Sequence, residues 1–275
     1  MPTDSKQKDI MRQLSEGIKE LSSSQKWQEY LKFQSLFHNY SFSNVLLIAT
    51  QFPSATRVAG YSNWKKMGRY VRKGEKAISI LAPIIYKQDN ANHDSFESET
   101  RKKLYGFKTV GVFDISQTEG AEVPLPCQNL IKGDYSLAYH DLIRTASQIG
   151  FQVVEDILPQ GINGSCSHTE QLIKINCRNL SPQKVKTLAH EIGHAMLHPD
   201  FSDRALAELE AESVAYIICN FLGIDSSDYS FGYILSWAEG DANADKMIKG
   251  SGERIQKTSE YIIKALSAQK AALAA

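Results

Sequence analysis

Residues 181–200 read SPQKVKTLAHEIGHAMLHPD. Ser181-Pro182 predicts a helix start, with a hydroxyl at the cap and proline at the first helical position, where its missing N–H costs nothing. Val185, Leu188, Ala189, Ile192, Ala195 and Met196 give that helix an apolar face. Within it stands His190-Glu191-Ile192-Gly193-His194. Residues four apart on a helix lie about 40° apart around the axis and about 6 Å along it, so both imidazoles reach one ion from one face. Zinc suits that arrangement, binding neutral imidazole at about 2.0–2.1 Å in four-coordination. Glu191 sits where a carboxylate takes a proton from water on the ion without ligating it, the role of a general base. His198 lies about 12 Å from His190 along the axis. It is read as supporting a ligand or ending the helix, not as a third ligand.

A third ligand is expected from the following helix, about Ala205–Leu222, which stops at Gly223 and contains Glu208, Glu210 and Glu212. Glu208 and Glu212 share a face, and Glu210 points nearly opposite. Glu208 is assigned as ligand and Glu212 as the carboxylate that orients a ligand histidine through its other nitrogen. Glu210 is assigned to solvent. Upstream, the arm Gln171–Asn176 would pair with an extended peptide and present it to the ion. Tyr229 and Tyr233, in SDYSFGYILSW, are phenolic candidates to steady an oxyanion, Tyr233 being taken as catalytic. Each also reads as an ordinary core or surface aromatic.

Around this motif, 275 residues with 42% apolar and 23% charged side chains describe a globular chain of one large or two medium domains. Formal net charge is zero, but residues 1–120 hold 18 basic and 12 acidic side chains, and the remainder reverses the balance at 13 against 19. That asymmetry points to two modules with different partners. Four scattered cysteines with no C-x-x-C pair argue against a disulfide scaffold and a cysteine zinc site. A polar N-terminus and no run near 20 apolar residues predict a soluble, cytoplasmic protein without a membrane partner.

The front half reads as helices (apolar spacing from Lys8 to Leu36, then Ser43–Gln51), a strand at Ala77–Tyr86 with Pro83 marking a bulge or edge, a loop at 89–100, and a returning strand at Lys103–Ile115. A domain boundary falls in 119–134, giving domains 1–122 and 123–275. Behind it come a helix at Leu137–Ile149, the strand FQVVE, a hairpin whose second arm is EQLIKINC, and a last helix from about Gly252 to Leu273. The fold class is α+β: N-terminal helices with a small antiparallel sheet, then a back domain of helices with a strand and a hairpin. Between Arg57 and Lys76, seven basic residues (Arg57, Lys65, Lys66, Arg69, Arg72, Lys73, Lys76) face one acid, Glu75, with Tyr61, Trp64 and Tyr70 interleaved. Charge for phosphates beside rings for bases is the pattern of single-stranded nucleic-acid binding. A solvated basic surface with Trp64 in the core has the same composition.

NYSFSNVLLI at 39–48, WKKMGRYVRKGEKAISI at 64–80 and VFDISQTEG at 112–120 resemble the N-terminal domain of ArdC-type antirestriction proteins. HEIGHAMLH at 190–198 and ELEAESVAY at 208–216 resemble the ImmA/IrrE-type zinc metallopeptidase domain. The resemblance implies a front domain that binds single-stranded DNA and a zincin-like back domain. Its ion would be held by His190, His194 and Glu208, with Glu191 as base. Tyr40 and Asn44, in the first of these segments, join the seven basic residues and Trp64 as DNA-binding candidates. The implied function is a zinc metallopeptidase that cleaves a DNA-associated protein and protects entering DNA from restriction. The alternatives are a DNA-coating shield whose metal is structural, and a regulatory protease that cleaves a repressor.

Overall fold

Leu21 to Ser23 split the N-terminal apolar periodicity into two helices in the computed structural model, which describes residues 2–88, 101–122, 135–200, 203–225, 231 and 243–273. α1 spans Pro2–Glu20 and α2 Ser24–Leu36, where Ser23 caps by accepting from the Lys26 amide at 3.4 Å. α3, Phe42–Gln51, stops ahead of Pro53. The chain forms two compact units, Met1–Gly17 with Leu46–Glu122, and Ile18–Val45 with Val123–Ala275.

The first unit contains β1 (Val58–Gly60), α4 (Tyr61–Lys66), β2 (Arg69–Val71), β3 (Ile78–Gln88), β4 (Arg101–Asp114) and β5 (Thr118–Gly120). β1, β4 and β3 form an antiparallel sheet in that order, and β2 pairs with β5. Pro83 lies on the edge strand β3, where a proline is tolerated, and the register slips beside it between Ile84 and Ile85. Val58, Trp64, Ile78, Ile80 and Val112 form the core here. The Asp114 carboxylate ties the end of the sheet by accepting from the amides of Thr56, Arg57 and Ser116 at 2.8–2.9 Å. Residues 89–100, expected as a loop, and 123–134, most of the expected boundary, lie outside the described residues.

The second unit holds α2 with α5 (Ser136–Gln148), β6 (Gln152–Asp156), β7 (Gly164–Ser167), β8 (Leu172–Asn176), α6 (Ser181–Leu197), α7 (Arg204–Leu222) and α8 (Ala244–Leu273). Two sequence expectations change here. Residues 18–45, expected in the front domain, pack with the back, because the wholly buried Trp27 of α2 donates its Nε1 hydrogen to Ser213 Oγ of α7 at 3.0 Å. The expected hairpin with EQLIKINC as its second arm is present: β8 is that arm, and the first is β7, whose GSCS lacks any apolar alternation to mark it as a strand, while β6 runs parallel to β8 on its other side. α8 begins at Ala244 rather than Gly252. Gly252 is required within the helix for close packing, since a Cβ there would come 2.2 Å from the Phe42 ring. Among the described residues, no helix is long and apolar enough to cross a membrane.

Candidate metal centre and basic surface

α6 opens with Pro182 as its second residue and Leu180 as cap, one position from the expected start. α7 is capped by Asp203, which accepts from the Leu206 amide at 3.0 Å, and it ends at Gly223 with φ 72°. The two helices pack closely at Gly193, where a Cβ would lie 3.1 Å from Ala211 Cα. That approach brings Glu208 to the histidines. His190 Nε2, His194 Nε2 and Glu208 Oε2 form a triangle with sides of 3.0, 3.4 and 3.7 Å. Tetrahedral bonds of about 2.0–2.1 Å require ligand–ligand separations of about 3.3–3.4 Å. The three donors bracket that value, so these residues fit a divalent ion. They are the one such group among the described residues.

The second nitrogens of the rings are also engaged. His190 Nδ1 lies 3.0 Å from Glu212 Oε2, the contact expected of Glu212. A carboxylate only accepts, so His190 donates from Nδ1, and the Nε2 lone pair faces the ion position once that nitrogen has lost its proton. His198, at the C-terminal cap of α6, stands against His194, with Nδ1 to Nδ1 at 3.1 Å. Glu210 is a correction. It points away from Glu208 as expected, but it is buried rather than solvated, held by His198 and by Arg254 of α8. Opposite faces of α7 are both covered, and helical spacing alone does not report that. Nothing in the motif foretold Arg254.

Charge and burial compete at the site. Burial works to lower the His190 pKa, but hydrogen bonds to Glu208 and Glu212 and the nearby carboxylates prevail and raise it to about 9. Burial dominates at Glu191 and pushes it up to about 7 against the opposing pull of His190. Glu208 is held far below the usual carboxylate range by its two histidine partners. An ion must displace the His190 proton, so apparent affinity for Zn(II) or Mn(II) is expected to rise about tenfold per pH unit between pH 6 and 8. Competition titrations across that range check this, and a flat profile would show that no proton leaves His190 as the ion binds.

The ligands open onto a cleft of about 530 Å³ whose wall includes Gly164, Ser165, Cys166, Glu191 and Arg204. β7 supplies the first three. A Cβ on Gly164 would come 2.8 Å from Glu191 Oε1 and 2.5 Å from Thr187 Cγ2, so only glycine lets this strand pass so close to the base. β8, expected to receive a peptide through Gln171–Asn176, is the central strand with both edges paired, and no further backbone can join it. β7 is the edge strand beside the ligands. Tyr229 and Tyr233 lie outside the described residues.

The basic stretch folds as β1, α4 and β2 of the first unit. Trp64 departs most from its assignment: it is wholly buried and donates Nε1–H to the Phe113 carbonyl at 2.9 Å, so it has no face for a base. Arg69 ties β2 to β5, donating to Thr118 Oγ1, Thr118 O and Ala121 O at 2.6–2.9 Å. Arg72 donates to Glu75 and to Ser116 O, and half-buried Arg57 donates its amide to Asp114. Lys65, Lys66, Lys73 and Lys76 are exposed, as are Tyr61 and Tyr70. Tyr40 and Asn44 are half-buried and belong to the unit of the metal centre.

Residues 5–113 match the N-terminal domain of anti-restriction factor ArdC. That region takes in the whole basic stretch, and it also includes α2, which packs with the second unit. Two solved structures share the fold of most of this chain. The metal-free crystal structure of the antirestriction ArdC protein from plasmid R388 is 22% identical, covering 83% of this chain and 86% of that one with a TM-score of 0.54. Its Mn(II)-bound form is 21% identical over 82% and 85%, with a TM-score of 0.53. An uncharacterized Bacillus anthracis protein, pXO2-81, is 25% identical over 93% of this chain, which spans about half (50%) of that protein's length.

Proposed function

We propose that this protein is an antirestriction factor of ArdC type that holds single-stranded DNA on the exposed face of residues 57–76 and hydrolyses a peptide bond in a protein met on that DNA. The observation that carries the reading is one cleft containing three convergent ligand atoms, a buried carboxylate beside them and an edge strand along its wall. Two imidazoles with one carboxylate form a donor set that suits catalytic zinc, while Mn(II) occupies the ArdC structure from R388. Metal-free and Mn(II)-bound forms of that relative match this chain about equally, with TM-scores of 0.54 and 0.53.

A bound divalent ion supplies Lewis acidity, polarising a carbonyl and acidifying water. The remaining work falls to the chain's own groups. The outer edge of β7 at Gly164–Cys166, unpaired among the described residues, pairs with an extended peptide and lays one bond across the cleft. Glu191 Oε1, with its pKa tuned by burial to near neutrality, accepts a proton from the attacking water and returns it to the leaving nitrogen as the C–N bond breaks. The test is a pull-down on single-stranded DNA with Glu191→Gln, with mass spectrometry of trapped proteins. A protein that wild type cleaves and the variant retains supports the reading. Identical sets in the two pull-downs, with no cleaved product, overturn it.

On the DNA side, Tyr61 and Tyr70 take the stacking role assigned to Trp64. Tyr61→Ala and Tyr70→Ala are each expected to cost about 1–3 kcal/mol of single-strand affinity. Replacing Lys65, Lys66 and Lys73 by Gln lowers the salt slope by about 0.7 for each phosphate that is no longer neutralised. Equilibrium binding at several salt concentrations measures both effects. Unchanged affinity and slope in these variants would place the DNA elsewhere.

A further inference from the structure

His198 stands eight residues past His190, too far to ligate, yet it is buried against the other ligand histidine. Its partners define a direction. Glu210, 1% exposed, accepts from Arg254 Nε at 3.1 Å and through a second, shorter hydrogen bond from Arg254 Nη2, which also donates to Ser251 Oγ at 3.2 Å. A carboxylate held this way offers His198 only acceptor lone pairs, and His198 Nε2 lies 3.3 Å from it. His198 therefore carries its hydrogen on Nε2, which leaves a lone pair on Nδ1 facing His194 Nδ1 at 3.1 Å. His194 must then donate from Nδ1, and its Nε2 lone pair is left pointing at His190 Nε2 and Glu208. The opposite polarity would put a hydrogen on the His194 nitrogen that has to ligate.

We propose that His198 is a positioning residue that sets the tautomer and ring orientation of His194, so that α8, through Arg254 and Glu210, is a working part of the metal centre. The two ligand histidines are thus held by different devices. His190 leans directly on Glu212, and His194 leans on a carboxylate of α7 through an intervening ring, with an arginine 44 positions further along the chain anchoring it. Loss of such an outer partner typically weakens metal binding about 10–100-fold. The inference rests on the reading of His190, His194 and Glu208 as metal ligands.

Two substitutions separate positioning from packing. His198→Asn puts an amide oxygen near the former Nδ1 and keeps an acceptor for His194, whereas His198→Phe keeps the ring's bulk and removes the acceptor. Zn(II) affinity by chelator competition is expected to fall about 10–100-fold in His198→Phe and only a few-fold in His198→Asn. Nitrogen-15 shifts of His194 in chelator-treated protein should show a single Nδ1–H tautomer in wild type and His198→Asn, and a mixture in His198→Phe. Circular dichroism and thermal melts accompany each variant. Equal affinities for the two variants, or one unchanged His194 tautomer in all three proteins, overturns the proposal. If wild type binds no Zn(II), the ligand reading fails, and the tautomer measurement still decides the His198 relay on its own.

Discussion

Glu191→Gln is expected to leave metal content and fold intact and to lower peptide hydrolysis by about 10²–10⁴-fold. The amide keeps the shape of the carboxylate against Gly164 and cannot accept a proton. Cleavage at the wild-type rate would remove Glu191 from the role of base. The same variant separates the readings of biological role. If it binds single-stranded DNA normally and protects DNA from restriction as well as wild type, the protein acts as a coat and not as a protease. If DNA binding is dispensable while a repressor accumulates uncleaved, the regulatory reading gains.

The substitution also has a signature in stability. Burial raises the Glu191 pKa from its usual 4.5 to about 7. Its stabilising contribution is therefore full below about pH 4.5 and is lost as pH rises through 7. With metal removed by chelation, Glu191→Gln is expected to be more stable than wild type at pH 8 and to lose that advantage towards pH 4.

Trp64→Ala should destabilise the first unit by about 3–5 kcal/mol, the range for truncating a large buried aromatic. The indole is wholly enclosed and its N–H is the donor to the Phe113 carbonyl, so truncation leaves both a cavity and an unpaired acceptor. Denaturant titration followed by circular dichroism measures the loss. A variant as stable as wild type but defective in DNA binding would return Trp64 to a stacking role and contradict the observed burial. Paired with Tyr70→Ala, which removes an exposed ring, the experiment separates holding the fold from holding a base. Arg69 belongs with Trp64 in this respect, because its guanidinium joins β2 to β5.

The metal centre was legible because helical geometry relates residues a few positions apart. Two histidines at four-residue spacing share one face of their helix, and Glu208 and Glu212 at the same spacing share one face of the next, whatever surrounds them. The basic stretch was legible only as composition. Its charge density marked a surface, but Trp64 and the two tyrosines are equivalent in a sequence until a sheet covers one of them. β7 is hidden for a related reason: GSCS has neither β-branched residues nor alternation, and it is a strand because β8 offers it an edge.

What the chain determined by itself, then, is the set of i, i+4 pairs, a helix start within one residue of Pro182, a helix end at Gly223, and the bulge or edge that Pro83 marks. Tertiary structure alone decided which glutamate is buried, which strand borders the ligands and which unit owns residues 18–45. Each of these depends on partners far apart in sequence: Trp27 with Ser213, Glu210 with Arg254, Gly164 with Glu191. Local periodicity fixes the direction a side chain points, but burial and strand pairing depend on what the rest of the chain brings to meet it.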